Sequence, residues 1–239
     1  MFISDTHGMH NRMTHALPAG DVLVHCGDMS AHGRHEELRD VAHWLGKQNF
    51  KHKIAIAGNH DAALEGAFYF NSLYGRAELC HSSDLRTRTE ELFQYAGVNY
   101  LCDRSIELDG VKFYGAPWTP NFCNWHFMPP RNSEELKAKW DAIPDDVQVL
   151  VTHGPPHGIL DAYVEPDYIA AADQVHVGCE LLAERIASLG KLQVHAFGHI
   201  HEGYGTYPMF NNGSTGWFVN AAICTREYKP TNRPIEVVL

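Results

Sequence analysis

The chain has 239 residues, of which 44% are hydrophobic and 20% are charged, as is usual for a folded globular protein. Its formal net charge of -10 opposes contact with the phosphate backbone of a nucleic acid, so broad nucleic-acid binding is not expected. A small anionic substrate is still compatible, because bound metal cations reverse the charge locally. No apolar run reaches the length of a membrane-spanning helix, and the first residues lack the pattern of a signal peptide.

The predicted elements alternate between short apolar segments and amphipathic segments. The predicted strands are Met1–Ser4, Val22–Cys26, Lys53–Ala57, Val111–Gly115, Val147–Thr152, Gln193–Phe197, Trp217–Asn220 and Pro234–Leu239. The predicted helices are His35–Lys47, Ser133–Ile143 and Gly178–Leu189. The early alternation of strand and helix favours an α/β fold with a largely parallel sheet, and the closer spacing of the later strands indicates a mixed or second sheet.

Cysteine usage indicates a reducing compartment. The 6 cysteines are scattered and form no C-x-x-C pair, which argues against a thiolate zinc site. We expect a cytoplasmic protein with a single domain over residues 1–239, no membrane partner and no nucleic-acid polymer as partner. Histidine is in excess, with 17 residues.

Five predicted strands end in clusters of His, Asp or Asn beside glycine. These clusters are Asp5-Thr6-His7-Gly8, Gly27-Asp28, Gly58-Asn59-His60-Asp61, His153-Gly154 and Gly198-His199-Ile200-His201. The functional crevice of an α/β sheet lies outside the carboxyl ends of its strands, so these loops are expected to meet. Imidazole, carboxylate and amide groups are the N/O ligands of a metal site. The pattern therefore predicts a metal centre.

The number of candidate ligands favours two metals. The candidates are Asp5, His7, Asp28, Asn59, His153, His199 and His201. A single tetrahedral zinc needs only three or four protein ligands, so seven suit a pair of ions that share one carboxylate. Asp28, which follows a glycine at a strand end, is the expected shared ligand. Two close cations bind a phosphoryl oxygen, generate hydroxide near neutral pH and stabilise both ends of an in-line displacement.

The five clusters, in this order, resemble the calcineurin-like metallophosphoesterases. The segments GAPWTPNFCNWHF, THGPPHGILD, GHIHEGYG and NAAICTREYKPTNRPI resemble the metallophosphoesterase-domain-containing (MPPED) branch of that superfamily. The resemblance covers nearly the whole chain. It implies a four-layer α/β/β/α sandwich of two mixed sheets, with metals at the carboxyl edges of the strands.

The same resemblance implies a role for each cluster. One metal would be held by Asp5, His7, Asp28 and His201, and the second by Asp28, Asn59, His153 and His199. His60 would stabilise the developing charge or protonate the leaving oxygen, and Asp61 would orient His60. A hydroxide bridging the two divalent ions would be the nucleophile. Mn²⁺ is the expected metal, with Fe, Zn, Co and Ni as alternatives.

The expected substrate-binding residues are His60, Asn59, Trp118 and His126. The segment from Trp118 to Phe127 is rich in aromatic residues, which suit a wall that stacks a nucleobase or aromatic leaving group. They suit equally a proline-pinned surface loop that packs its rings on the core. Whether His126 lines the substrate pocket is also left open by its position near a motif loop.

The expected function is a binuclear metal-dependent phosphoesterase, above all a phosphodiesterase acting on small phosphodiesters such as cyclic nucleotides. A Ser/Thr protein phosphatase is disfavoured, because the second cluster reads Gly-Asp-Met-Ser-Ala-His-Gly and lacks the Asp-Arg pair typical of those enzymes. A phosphomonoesterase and a non-catalytic interaction scaffold on the same fold are the alternatives.

The segment Met1–Ser4 alone precedes the first cluster, so a short first strand is expected. A frayed strand would loosen metal binding through Asp5 and His7. The attachment of this strand to its neighbours therefore matters for the site.

Overall fold

Fourteen strands and five helices make up the computed structural model, which describes residues 1–71, 77–163, 175–211 and 214–239. The strands are β1 Phe2–Ile3, β2 Gly20–His25, β3 Phe50–Ala55, β4 Ala67–Asn71, β5 Ala77–His81, β6 Asn99–Tyr100, β7 Arg104–Leu108, β8 Val111–Ala116, β9 Val149–Thr152, β10 Ala162–Tyr163, β11 Val175–His176, β12 Val194–Phe197, β13 Gly205–Asn211 and β14 Ser214–Asn220. The helices are α1 His35–Gly46, α2 Ala62–Glu65, α3 Ser83–Tyr95, α4 Glu134–Asp141 and α5 Glu180–Ser188. Single 3₁₀ turns cover His10–Arg12 and His201–Gly203.

Two large sheets carry most of these strands. The first has the order β1-β2-β3-β6, and all its neighbouring pairs are parallel. The second has the order β13-β14-β12-β9-β8-β7, with four parallel central strands and an antiparallel strand at each edge. The hairpins β4–β5 and β10–β11 are separate two-stranded sheets. Parallel strands place their carboxyl ends at one edge, which is where the polar clusters of the sequence come together.

Three hydrophobic cores separate four layers. The two sheets face each other across a core that includes Val24, Ile54, Val151, Val194 and Val219. Helices α1 and α3 cover the outer face of the first sheet, and α4 and α5 cover that of the second. This confirms the predicted α/β/β/α sandwich. The first sheet differs from the mixed sheet expected, because it is wholly parallel apart from one antiparallel bridge between Phe2 and Ile235.

The three predicted helices form because their apolar residues recur on one face. In α1 the buried side chains are Leu38, Val41, Ala42 and Leu45, which repeat at helical spacing. In the first turn of α1, the Glu37 carboxylate accepts a hydrogen bond from the backbone N–H of Arg34 at 3.0 Å, which caps the helix. Within the described residues, no helix has both the length and the apolarity that crossing a bilayer demands.

Helix α3 was not predicted, because its apolar stripe is thin. Only Thr89 and Phe93 are buried along its length. Its start is instead marked by Ser82, whose hydroxyl oxygen accepts from the backbone N–H of Leu85 at 3.2 Å. Packing against α1 and α2 supports this polar sequence as a helix.

The prediction of a strand over Pro234–Leu239 is wrong. Phe2 and Ile235 exchange two backbone hydrogen bonds, of 2.8 Å and 3.0 Å, but no strand is formed there. The edge offered by β1 is only two residues long, so the ladder cannot extend. Pro234 also lacks a backbone N–H to donate.

The short first strand is held firmly at its carboxyl end. Ile3 is fully buried and accepts from the backbone N–H of Cys26 at 2.8 Å. Beyond the strand, the N–H of Asp5 donates to the carbonyl of Gly27 at 2.9 Å. The carbonyl of Ser4 accepts from the opposite side, from the N–H of Ile223, at 2.8 Å. Asp5 therefore stands on backbone that is hydrogen-bonded to both sheets.

Substitution of Trp140 would test the packing of the core between α4, α5 and the second sheet. Trp140 is 1% exposed, and its indole N–H donates to Cys179 Sγ at 3.3 Å. We expect Trp140→Ala to lower the free energy of unfolding by about 3–5 kcal/mol, because it leaves a cavity in the core. Urea denaturation measures this change. Tyr95→Ala, at a side chain that is 85% exposed, is the control and should stay within about 0.5 kcal/mol of wild type. A similar small effect for Trp140→Ala would contradict the packing described.

Candidate metal centre

The first group of ligand-type atoms joins loops from the two sheets. Asp5 and His7 follow β1, and His201 follows β12. The two Nε2 atoms of His7 and His201 lie 3.2 Å apart, and His201 Nε2 is 3.3 Å from Asp5 Oδ1. Their ligand-type atoms all lie within 4.8 Å of one another. This spacing allows one ion to contact all three side chains.

A second group lies beside the first. Asp28, His153 and His199 also offer ligand-type atoms within 4.8 Å of one another. His153 Nε2 is 3.4 Å from Asp28 Oδ1 and 2.9 Å from Asn59 Oδ1. The structure thus brings the members of the predicted second metal site together at the ends of β2, β3, β9 and β12.

Asp28 stands between the two groups. Its Oδ1 faces His153, while its Oδ2 lies 3.9 Å from the Nε2 atoms of both His7 and His60. This position between the two groups is the one required of Asp28 as the predicted bridging ligand. His60 also completes a third group with His7 and Asp28. Distances alone therefore leave His60 close enough to act as a ligand.

The tautomers of three histidines suit metal binding. The Nδ1 atoms of His60, His153 and His201 contact the carbonyl oxygens of Ala31, Cys26 and Thr225 at 2.8–3.0 Å. A carbonyl only accepts, so each ring carries a proton on Nδ1 and turns its Nε2 toward the carboxylates. Metal binding displaces any proton on Nε2, and the imidazoles, the ionised carboxylates and the Asn59 amide oxygen then form a donor set that fits two divalent cations.

Burial and charge set the protonation of these groups. Burial by itself raises the pKa of Asp5, but the hydrogen bond and charge of His201 outweigh it and hold that pKa far below its usual range. Burial lowers the pKa of His7 to about 4 and that of His199 to about 3. Burial acts in the same direction on His153, but the charge of Asp28 prevails and raises its pKa to about 9.

Four of the seven predicted ligands have left-handed backbone. The φ angles are 52° at Asp5, 44° at His7, 51° at Asp28 and 67° at His199. Such values are uncommon outside glycine and persist where surrounding contacts enforce them, above all at functional sites. Here the N–H of His7 donates to the carbonyl of Asp28 at 3.0 Å, and the N–H of His199 donates to the Asp5 carboxylate at 3.0 Å.

The family model for calcineurin-like phosphoesterases matches residues 1–203. This chain belongs to the calcineurin-like phosphoesterase family. It is 36% identical over 249 residues to human metallophosphoesterase domain-containing protein 1, which covers 99% of this chain and 69% of the human protein. It is 34% identical over 241 residues to a UPF0046 protein of Caenorhabditis elegans, covering 98% of this chain and 78% of that protein.

A solved structure shares the fold of this phosphoesterase. The crystal structure of the phosphopantetheinyl hydrolase from Mycobacterium tuberculosis matches with a TM-score of 0.55 at 15% identity. The match covers 95% of this chain and 89% of that one. It supports the sandwich architecture described above.

The sequence predicts that Asp61 orients His60, which would require contact with its imidazole. In the structure Asp61 does not contact that ring. Its carboxylate accepts instead from the hydroxyl of Ser30 at 2.6 Å, from the N–H of Ser30 at 2.9 Å and from the N–H of Gly58 at 2.9 Å. The His60 ring is oriented by the Ala31 carbonyl. Asp61 therefore joins the loops after β2 and β3, and it acts on His60 only through that backbone.

A cavity of about 520 Å³ lies over the metal centre, and Trp118 is absent from its lining. The Trp118 indole N–H donates to Asp103 at 2.6 Å, and Lys139 lies 3.9 Å above its ring. His126 lines a neighbouring cavity instead, with Nδ1 held 2.9 Å from Glu65. Neither residue lines the space directly above the metal centre, whereas Asn59 and His60 do.

Two aromatic residues that the sequence did not single out flank the site. The Trp125 ring lies 4.2 Å from the His60 ring, and the Tyr228 ring lies 4.9 Å from that of His7. Both line the 520 Å³ cavity. Trp125 belongs to the aromatic loop from which Trp118 was chosen, but loop spacing does not tell which ring turns toward the site.

Two buried histidines, His25 and His195, form hydrogen bonds with threonines at the start of two ligand loops. The hydroxyl of Thr6 contacts His25 Nε2 at 3.0 Å, and that of Thr152 contacts His195 Nε2 at 2.8 Å. Each hydroxyl donates its own proton to a loop carbonyl, so the histidine is the donor to the hydroxyl oxygen. Since Thr6 and Thr152 directly precede His7 and His153, these pairs hold the start of two ligand loops.

Gly198 offers a test of the close contact at Asp5. A Cβ at this position would overlap Asp5 Oδ2 and Ser4 Oγ. We expect Gly198→Ala to displace the Asp5 carboxylate and to weaken metal binding by about 10- to 100-fold, as for other changes that misplace a ligand. Calorimetric titration of metal-free protein with Mn²⁺ measures the affinity.

The control for this substitution is Gly110→Ala in the β7–β8 turn. No heavy atom lies within 4 Å of a Cβ there, although its φ of 82° makes the change slightly destabilising. Its metal affinity should match wild type. An unchanged affinity in Gly198→Ala would contradict the expected displacement of an Asp5 ligand by the added Cβ.

Proposed function

We propose that this phosphoesterase is a binuclear phosphodiesterase that hydrolyses small phosphodiesters, with cyclic nucleotides as the first class to test. The observation that carries this proposal is the pair of ligand groups that meet at Asp28 beneath the 520 Å³ cavity. Two divalent ions, Mn²⁺ first and Fe, Zn, Co or Ni as alternatives, would bind phosphoryl oxygens and lower the pKa of water there.

The residues proposed to hold these ions are those of the two groups with their neighbours. For the first ion they are Asp5, His7, Asp28 and His201. For the second they are Asp28, Asn59, His153 and His199. His7 and His153 are buried, His199 and His201 are partly buried, and the carboxylates of Asp5 and Asp28 are ionised, so no fully exposed group has to be drawn in to complete the site.

His60 is the proposed proton donor. Its Nδ1–H is bound to the carbonyl of Ala31, and its Nε2 lines the cavity 3.9 Å from Asp28 Oδ2. A proton held on Nε2 can pass to the oxygen of the departing alcohol, or it can hydrogen-bond a phosphoryl oxygen. The Trp125 ring covers the imidazole and limits its movement.

The charges on the cavity wall favour a diester over a monoester. Arg131 and Arg226 are the arginines among the described lining residues, and each already faces a carboxylate. Arg131 pairs with Glu180 at 2.6 Å, and Arg226 lies 3.5 Å from Glu202. A phosphodiester carries one negative charge fewer than a phosphomonoester. Its binding therefore does not require an unpaired arginine in the cavity wall in addition to the metal ions. The aromatic walls supplied by Phe122, Trp125 and Tyr228 suit its organic substituents.

We also propose a cytoplasmic location. The reduced state of buried thiols supports it, since Cys26, Cys102, Cys179 and Cys224 lie in the interior as thiols.

The activity is tested with bis(p-nitrophenyl) phosphate and protein stripped of metal. We expect no turnover without metal, turnover on addition of Mn²⁺, and a loss of at least about 100-fold in His201→Ala, because one ligand of the first ion is removed. Release of p-nitrophenolate measures the rate. Equal turnover in wild type and His201→Ala would contradict the proposal, and no turnover by folded protein with any divalent metal would favour the scaffold alternative.

The role of His60 is separated from metal binding by His60→Gln. We expect kcat to fall by about 10²- to 10⁴-fold, since a positioned proton donor contributes that much, while calorimetry still shows two bound ions. His52→Gln is the control, because that imidazole pairs with Asp109 outside the described lining of the metal-centre cavity. If His60→Gln binds one ion fewer, His60 is a ligand and its proposed catalytic role is wrong.

A further inference from the structure

A second cavity, of about 920 Å³, adjoins the one above the metal centre. The two share His60, Cys123 and Trp125 in their walls. The proposed function uses only the smaller cavity, so the larger one has no role in it. A molecule bound at the metal centre with a group beside His60 would therefore have the larger cavity next to that group.

The interior of the larger cavity suits an organic group. Small or apolar side chains line it, among them Ala31, Ala62, Ala63 and Leu85. The wall shared with the metal site adds the Trp125 ring, which is 46% exposed and available for stacking. His126 is a fixed polar group in the wall, because its Nδ1 is bound to Glu65.

The charged groups of the larger cavity are mostly cationic, although the chain carries a net charge of -10. Arg34 and Arg88 line it together with Glu36, its one acidic residue among those described. Arg88 contacts Asp84 at 3.1 Å, but these side chains are 63% and 74% exposed, against 37% and 40% for Arg131 and Glu180, so the Arg88 pair is more easily exchanged for another anion. Guanidinium groups match the oxygens of a phosphate with two parallel hydrogen bonds.

We propose that this space is a leaving-group cavity, which binds the alcohol half of the diester and a second phosphate carried by that half. The proposal rests on the phosphodiesterase function above and concerns linear diesters, because a cyclic nucleotide has no separate alcohol half. Hydrolysis joins a water oxygen to phosphorus, with loss of one water proton to solvent, and breaks the bond from phosphorus to the alcohol oxygen. That oxygen takes a proton from His60, which regains one from solvent. Arg34 and Arg88 bind the second phosphate, while the apolar walls and Trp125 contact the organic part between the two phosphates.

The position of His60 indicates which half of the diester would lie in the larger cavity. Its Nε2 faces Asp28 on the metal side, and its ring contacts Trp125 at 4.2 Å. The proton donor must lie at the leaving oxygen. The group attached to that oxygen is therefore the one placed to enter the larger cavity, while the phosphorus stays at the metal centre.

The test compares three dinucleotides that differ only in a terminal phosphate: dithymidine monophosphate, its 5′-phosphorylated form and its 3′-phosphorylated form. Each competes with bis(p-nitrophenyl) phosphate for Mn²⁺-loaded protein, and calorimetry measures its binding directly. We expect at least one phosphorylated form to bind about tenfold more tightly than the unphosphorylated diester, as one charged hydrogen-bonding contact provides.

The variants Arg34→Ala and Arg88→Ala should reduce that advantage, and the double variant should abolish it. Arg39→Ala, at an exposed arginine of α1 that is not among the described lining residues, should keep both the advantage and wild-type turnover. The proposal is overturned if wild type binds all three dinucleotides equally, or if the advantage persists in the double variant. Absence of Mn²⁺-dependent turnover of bis(p-nitrophenyl) phosphate in wild type would instead contradict the phosphodiesterase function, and the calorimetric comparison would still report on the cavity.

Discussion

The close approach of the two sheets at their carboxyl ends is the constraint on which the rest of the structure depends. A Cβ at Gly27 or Gly58 would lie 2.7 Å from the ring of His153, and one at Gly198 would overlap Asp5. Glycine at these positions lets backbone from one sheet touch ligands from the other. Without that contact the ligand atoms of five loops would not meet within a few ångströms.

The ligand loops are held by hydrogen bonds rather than by regular secondary structure. Left-handed backbone at Asp5, His7, Asp28 and His199 turns each side chain inward, and interstrand hydrogen bonds keep the chain in that conformation. Beneath them, buried histidine–threonine pairs anchor one loop in each sheet. The candidate ligands are therefore held in place by hydrogen bonds within the protein, and such bonds reduce the ordering that binding of an ion would require.

The two cavities that meet at His60 differ in the side chains that line them. The smaller one contains paired arginines and aromatic walls, and the larger one contains exposed arginines around an apolar interior. Trp125 lines both cavities, so a molecule in either one can contact its ring. The chain carries a net charge of -10, so the arginines of these two cavities stand out against an acidic background.

Much of this molecule could be predicted from local signals. Apolar periodicity located α1, α4 and α5, and the polar residues after five predicted strands identified the ligand loops, because carboxyl ends of parallel strands share one edge. The resemblance to a known family implied the layer order. Apolar periodicity did not locate α3, whose apolar stripe is thin, and it wrongly predicted a strand over Pro234–Leu239. The conformation of these two segments depends on the elements that pack against them.

Orientation within loops was settled only by tertiary structure. The sequence by itself determined which residue types are available as ligands, which loops carry them and their order along the chain. Tertiary structure decided that Trp125 rather than Trp118 contacts His60, that Asp61 bonds to Ser30 instead of the His60 ring, and that a second cavity adjoins the first. The physical reason is that side-chain direction in an irregular loop follows from contacts between segments distant in sequence, which no local pattern encodes.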